Sequence, residues 1–520
     1  MDARSLLAAA LPLTVVLLLP CGRPQALGQE SLESRLWRLE QANAYLMQQN
    51  AYLMQQLRAA PQPMPVAHQP PPALPPAAPP APPDQEWMEV GKNLDMTAVW
   101  RHGLWVETKD KSFQVHVGGR VQHDVVWLHG NDAVQFAPGG MGPLQDGTNF
   151  RRARFAVEGR FYEVVEFNTE FDFVNTFDFE STNPAVQADV ANTPVPTDLW
   201  VQLTQLPVIG TFRVGNMKPP ISFEHLTSSR YLHFLERSLA FDAFIGGLDN
   251  GFRPGFMFFN GTDDQQLTWA LGAFKSNTTV FGWNTGDGEW DLTGRLTYLL
   301  YYADDGRHMI HLGLGASYRD LDEGRVRLRS RTLLRNGPGP LHPALVNVLL
   351  AGDDQTILVP EFAMNWGPWT VQAEYYGVWV TDTVFPAAGG TQQGTTFFES
   401  AYIEVLYFLT DEHRPYSKIG GSGAAFARVV PRSYFFCVRD ENGNLCAGPG
   451  AWQVGVRYSW IDLNDRGIPG GVAQDVTFGL NWYLNPNLKF QWNYTIADRD
   501  LNGPSDGVVH GFGMRTAFDF

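Results

Sequence analysis

The chain has 520 residues, 51 of them Gly, with 13% aromatic and only 18% charged residues. These proportions exclude a disordered protein and leave room for one large closed sheet with appendages. A formal net charge of −16 at pH 7 argues against nucleic acid as a partner, because phosphate backbones attract net-basic surfaces.

Residues 1–28 read as a secretory signal peptide. Arg4 precedes an apolar run from Leu6 to Leu19, and small residues around Ala26 and Gly28 precede Gln29. The run is too short for a stable span. Cys21 would suggest a lipoprotein, but Pro20 immediately before it makes a poor lipidation site. Beyond Gly28 no stretch reaches the roughly 18–20 apolar residues of a transmembrane helix, so a membrane form of this chain must be a barrel.

Residues 29–60 carry Leu32, Leu36, Leu39, Leu46, Leu53 and Leu57 at spacings of four and three, with Asn43 and Asn50 in the intervening seam positions. The pattern predicts a short coiled coil, and seam Asn residues that fix register favour an oligomer over an isolated amphipathic helix. Residues 61–96 form a Pro-rich linker and lead-in. Twelve prolines between Pro61 and Asp84 exclude helix and sheet, and polyproline II would extend that segment to roughly 70 Å.

From residue 97 to residue 520 the texture becomes strands of ten or so residues with period-two alternation. In Leu488, Phe490, Trp492, Tyr494 and Ile496 one face is apolar or aromatic, against Lys489, Gln491, Asn493 and Thr495 on the other. The preceding strand, with Val476, Phe478, Leu480 and Trp482, shows the same pattern, and only the tight Asn485-Pro486-Asn487 turn separates the two. Tight connections alternating with long polar ones predict an all-β, transmembrane antiparallel barrel of the outer membrane, with short periplasmic turns and long extracellular loops. About seventeen candidate strands follow Phe113; closure takes an even number, and sixteen is expected, leaving an aqueous lumen. The last strand, Phe512, Met514, Thr516, Phe518 and Phe520, ends on an aromatic residue and resembles the signal read by the barrel-assembly machinery. Cys437 and Cys446 flank a polar segment with an Asn-Gly turn signal. A loop disulfide suits an exported chain, and two free thiols are the alternative.

Residues 103–122, with Gln114, Val115, Val117, Gly118, Gly119 and Arg120, and residues 150–160, with Arg151, Arg152, Arg154 and Arg160, are similar to the opening strands of the phosphate-selective porin O and P family. Residues 212–237, running through Met217, Lys218, Pro219, Pro220 and Ser228 to Arg237, resemble that family's strand into its pore-constricting loop. The resemblance covers 103–520, and residues 325–354 and 382–396 match nothing in it. It implies a sixteen-stranded homotrimeric channel for passive diffusion of small hydrophilic solutes, anions such as phosphate among them, with the third loop folded inward. Phosphate-selecting members place a Lys and Ser residues on that loop; here Arg230 stands near the expected Lys. The coiled coil and spacer are additions that suggest a trimer with a periplasmic stalk.

Alternation tells which charges reach the lumen. Outward Val115, Val117 and Val121 turn Arg120, Gln114 and Gln122 inward; outward Phe155, Val157 and Phe161 turn Arg152, Arg154 and Arg160 inward. Arg213 and Arg295 follow from Phe212, Val214, Leu296 and Tyr298, with Thr293 and Thr297 beside Arg295. The inward loop, 218–248, adds Lys218, Arg230, Arg237, Ser228 and Ser229. Arg forks suit phosphate oxygens. Glu158, Glu166, Glu170 and Asp172 on the same inner faces keep open a general, non-selective porin with opposed charged walls. A tether joining outer membrane to cell wall through the N-terminal coiled coil is the structural alternative.

No catalytic arrangement stands out. His116 and His123 fall on opposite faces, and Gly420, Gly421 and Gly423 lie at a strand edge and form no phosphate loop. No cofactor or metal is expected. The expected partners are copies of the chain, outer-membrane lipid, small anionic or polar solutes and cell-wall components. A lipase or protease built on the barrel is the enzyme alternative, and lipid hydrolysis would reveal it.

Overall fold

The computed structural model describes residues 95–520 apart from 175–193, 247–250, 276–288, 322–323, 337–342, 386–389, 421–422, 437 and 440–441. The signal peptide, coiled coil and Pro-rich linker expected before residue 95 lie outside the described residues. So do Cys437 and the side chain of Cys446, and with them the disulfide.

Sixteen antiparallel strands close into a barrel. They are β1 (Gln114–Gly130), β2 (Gly147–Phe161), β3 (Val165–Asp172), β4 (Val195–Leu206), β5 (Gly210–Met217), β6 (Arg253–Gly261), β7 (Leu267–Lys275) and β8 (Trp290–Ala303). The second half is β9 (His308–Asp320), β10 (Asp354–Trp366), β11 (Trp369–Phe385), β12 (Thr391–Phe408), β13 (Ala451–Asp465), β14 (Ile468–Tyr483), β15 (Leu488–Asp500) and β16 (Gly507–Asp519). Each pairs with its neighbours in sequence, and β16 returns to β1 in the register Phe512↔Trp127 and Met514↔Val125. The sheet therefore has no free edge among its wall strands. The terminal Phe520 completes the seam: the Gly119 amide donates to its carbonyl at 2.9 Å and its own amide donates to Gly119 O at 3.1 Å. A Cβ at position 119 would meet the Arg154 carbonyl oxygen at 2.5 Å and the Phe520 ring at 3.2 Å, so glycine there makes room for both.

The pleat makes the barrel inside-out. On the facing pair β8 and β9, Leu296 is 51% and Leu314 46% exposed, while Thr293, Arg295 and Thr297 on the inner face are buried. The exposed apolar band is the lipid surface: hydrocarbon solvates its side chains, and the closed sheet leaves no strand edge for lipid to meet. Leu314→Arg near the bilayer midplane is accordingly expected to destabilise the barrel by about 2–4 kcal/mol. Urea titration of the barrel folded into phospholipid vesicles measures it, and a loss under about 0.5 kcal/mol would place Leu314 away from lipid.

At one barrel end, with the C-terminus, the connections 162–164, 207–209, 262–266, 304–307, 367–368 and 484–487 are tight turns of two to five residues. The sequence pattern predicts that every connection on this side is short. One departs: strand β12 ends at this side too, so the whole segment 409–450 before β13 lies here. A hairpin, Met96–Trp100 with Leu104–Thr108, also precedes β1 and pairs with its first residues, Leu104 opposite Val117.

Three segments fold into the lumen. The loop 218–252 between β5 and β6 enters from the opposite end, and so does the hairpin Arg325–Arg331 with Ala344–Ala351 between β9 and β10. From the segment 409–450, a strap, the hairpin Tyr416–Gly420 with Gly423–Phe426 enters from the turn end.

Candidate functional site: an arginine-lined constriction

After β5, Pro219 and Pro220 cannot continue a ladder, and Ser222 takes a φ of 67°, which swings the chain inward. The following helical turn, Phe223–Leu226, is docked on the barrel wall by Glu374 of β11, which accepts from the amides of Phe223 at 2.7 Å and Glu224 at 3.0 Å. Farther on, the loop crosses to β1, where Arg120 donates to Ser229 Oγ at 2.7 Å and Gln122 to Ser229 O at 3.1 Å. It then runs along β15 and β16. Lys489 donates to the carbonyls of Arg230 (3.0 Å) and Leu232 (2.8 Å), Asn493 accepts from the Leu235 amide (2.7 Å), and Arg515 donates to Leu235 O (2.6 Å). Inward side chains of the wall thus replace the strand partners that an inward loop lacks, as buried backbone groups require.

Two arginine clusters ring this loop. In the first, Glu170 of β3 bonds Arg120 and, at 3.0 Å, Arg154, with Arg230 at 3.8 Å; Arg154 Nε also reaches Asp172 at 2.7 Å. Arg230 also lies 3.7 Å from Asp519, which Arg428 shares, so four arginines there face three carboxylates. In the second, Glu236 of the loop accepts from Arg151 at 2.6 and 3.0 Å, with Arg515 at 3.3 Å and Arg335 at 3.9 Å. Arg515 forks onto Asp124 at 2.6 Å through both nitrogens, and Asp242 holds Arg331 and, at 2.9 Å, Arg335. Arg152 joins this group through Gln122 Oε1 at 2.8 Å and pairs with no carboxylate among the described residues. Five arginines there face three carboxylates. Burial alone would raise the Glu236 carboxyl, but Arg151, then Arg335 and Arg152, hold it well below the usual carboxylate range.

The other residues expected inside, by alternation or as part of the inward loop, lie in different settings. Ser228 Oγ lies 3.5 Å from Arg120 and accepts from the Arg230 amide at 3.4 Å. Arg237 serves the loop itself, donating to Glu224 O at 2.9 Å and Thr227 O at 2.8 Å. Arg160 pairs with Glu166 and is partly exposed. Arg213 donates to Gln202 at 2.7 Å and stacks on Trp200 at 3.8 Å, while Lys218 donates to His225 O at 2.6 Å. Arg295 forks onto Glu361 of β10 at 2.9 and 2.7 Å and gives its third nitrogen to Ala424 O at 2.9 Å. It reaches across β9 because the intervening Gly313 has no side chain; a Cβ there would meet Glu361 at 2.5 Å. Arg120, Arg152, Arg154, Ser228, Ser229 and Arg230 therefore gather at the constriction. Arg160, Arg213 and Lys218 line a chamber nearer the turns, and Arg295 is a buried structural pair.

Four arginines of the clusters are absent from the sequence-based set. Arg151 lies on the nominal lipid face of β2, but the register slips from Gln122↔Arg152 to His123↔Phe150, and this bulge turns it inward. Arg331 and Arg335 belong to the long loop 321–353, which has no periodic signal to follow. Arg515 did have one: Phe512, Met514 and Phe518 point to lipid, which turns it inward.

A family model described as Phosphate-selective porin O and P matches residues 115–520. Porin O of Pseudomonas aeruginosa is 24% identical over 459 residues, 82% of this chain and 93% of that protein. An uncharacterised protein of Caulobacter vibrioides is 27% identical over 441 residues, 81% of this chain and 76% of that protein. Among solved structures, the outer membrane channel DcaP of Acinetobacter baumannii is 11% identical with a TM-score of 0.45, covering 80% of this chain and 99% of that one.

Proposed function

The chain belongs to the phosphate-selective porin O and P family and is an outer-membrane channel, and from that premise we propose that its solutes are small anions, inorganic phosphate among them, drawn through the ring of arginines around the inward loop. The observation that carries this reading is the surplus of cations at the constriction: in each cluster the carboxylates are already shared among more arginines than they can neutralise. Narrow, low-dielectric walls focus such a field and raise the local concentration of counter-ions. Arg120, Arg152, Arg154 and Arg230, with the hydroxyls of Ser228 and Ser229, offer an anion several donors in succession along the loop. A general porin with balanced walls is less well supported, because the carboxylates at the constriction itself, Glu170, Asp172, Asp124, Glu236 and Asp242, lie within the arginine clusters. The heptads of residues 29–60 support a homo-oligomer with the coiled coil in the periplasm, and the family resemblance supports three copies.

The test is the reversal potential of the purified protein in planar bilayers under a potassium chloride gradient, followed by phosphate titration. Anion selectivity with chloride current blocked by phosphate is expected. Cation selectivity, or anion current indifferent to phosphate, would remove phosphate from the list of solutes.

A further inference from the structure

The strap 409–450 sends its hairpin into the lumen from a side where its sister connections are tight turns. Its base is tied to the rim: Arg428 pairs with Asp519 and donates to Pro486 O, and Asp411 sits between Arg307 at 2.6 Å and Arg432 at 2.7 Å. Its hairpin rises to the underside of the inward loop. Phe426 meets the Phe223 ring edge-on at 5.0 Å, and Tyr416 stacks parallel to it at 6.2 Å while its hydroxyl bonds His311 at 2.8 Å.

Strap, loop and strands β2–β6 enclose a cavity of about 680 Å³, a size that holds small organic solutes. Its charges cancel: Glu158, Glu166 and Asp198 stand against Arg160, Arg213 and Lys218. The residues that the strap itself contributes, Ser417, Ile419, Ala425, Phe426 and Ala427, are all uncharged. A wall of this kind excludes by bulk and exerts no net pull on either sign of ion.

We propose that the strap is a second filter, in series with the arginine constriction, which sorts small polar organic solutes by size and leaves charge selection to the loop above it. The proposal rests on the channel reading. It explains why a charge-neutral chamber follows a cationic constriction: an anion released there meets no further trap and can leave.

Two variants of the full chain test it in planar bilayers. Replacing residues 417–425 by a short Gly-Ser link is expected to raise single-channel conductance on the order of two-fold, with the reversal potential in a chloride gradient unchanged. In Ser417→Cys, a near-isosteric change, two neutral methanethiosulfonates of different bulk are expected to reduce current, the larger one more, with the reversal potential unchanged. The unsubstituted chain, with its own Cys437 and Cys446, is the control. Unaltered current after both modifications puts the strap off the path, and a shifted reversal potential in the Gly-Ser variant makes it a charge filter; either overturns the proposal. Absence of any channel in the unsubstituted chain would instead overturn the porin reading beneath it.

Discussion

Arg152→Gln is expected to weaken phosphate block of the channel on the order of tenfold, equivalent to about 1.4 kcal/mol, with little change in the stability of the barrel. Most arginines of the constriction cannot be tested so cleanly. Arg154 serves both Glu170 and Asp172, and its loss would leave buried carboxylates unpaired, which costs about 3–5 kcal/mol and would disturb the loop as well as the field. Arg152 is buried to the same degree, yet its partner is the neutral Gln122. Gln at 152 keeps a donor toward that amide and removes one full charge from a narrow lumen. Phosphate titrations of chloride current in the two proteins, with urea midpoints as the control for folding, give the comparison. Equal block in both would move the anion path away from the β1–β2 side of the loop.

The barrel was legible because its physics is periodic. A strand with lipid on one face and a wet lumen on the other must alternate, and Leu488 to Ile496 does so without exception, with Lys489, Gln491, Asn493 and Thr495 buried in the lumen as the pattern requires. Sixteen strands followed from closure. The side on which a connection lies was harder, since it depends on the parity of every strand before it, and a count of seventeen carries that parity wrongly through the second half. Residues 409–450, broken by Pro415, Pro431 and Pro449, look like any long polar loop. Only the pairing of β12 with β13 puts them beside the turns.

The inner face was legible and its pairing was not. Alternation finds Arg120, Arg154, Arg213 and Arg295, but which carboxylate each meets is set by register across two or three strands. Arg295 illustrates this: its partner Glu361 is two strands away and within reach through a gap that Gly313 leaves. Arg151 needed a bulge, which period-two reasoning erases. Lumenal charge read from sequence therefore overstates the cations open to solute, because part of the set, like Arg237 and Arg295, is committed to holding loop and strap in place.

That structural commitment has a keystone in Glu236, and Glu236→Ala is expected to undock the inward loop. Arg151, Arg335 and Arg515 converge on this one carboxylate in a buried setting, and removing one member of such a group costs about 3–5 kcal/mol because the remaining charges repel without compensation. Conductance should rise and become noisy while phosphate block is lost, since the loop no longer presents Ser228, Ser229 and Arg230 to the arginines of β1 and β2. The same geometry fixes the pH response. A carboxyl held below its unfolded value contributes stability above the ordinary Glu range, near pH 4.3, and loses that contribution only as pH falls through the lower folded value. Asp242, raised by burial but lowered further by Arg331 and Arg335, behaves alike. Single-channel conductance of the unsubstituted protein should therefore stay level from pH 7 to about pH 4.5, whereas Glu236→Ala should be open and noisy across that whole interval. Opening of the unsubstituted channel already between pH 6 and pH 5, or a quiet Glu236→Ala channel, would mean that the loop is held by its hydrogen bonds to Lys489, Asn493 and Glu374 and that Glu236 is dispensable.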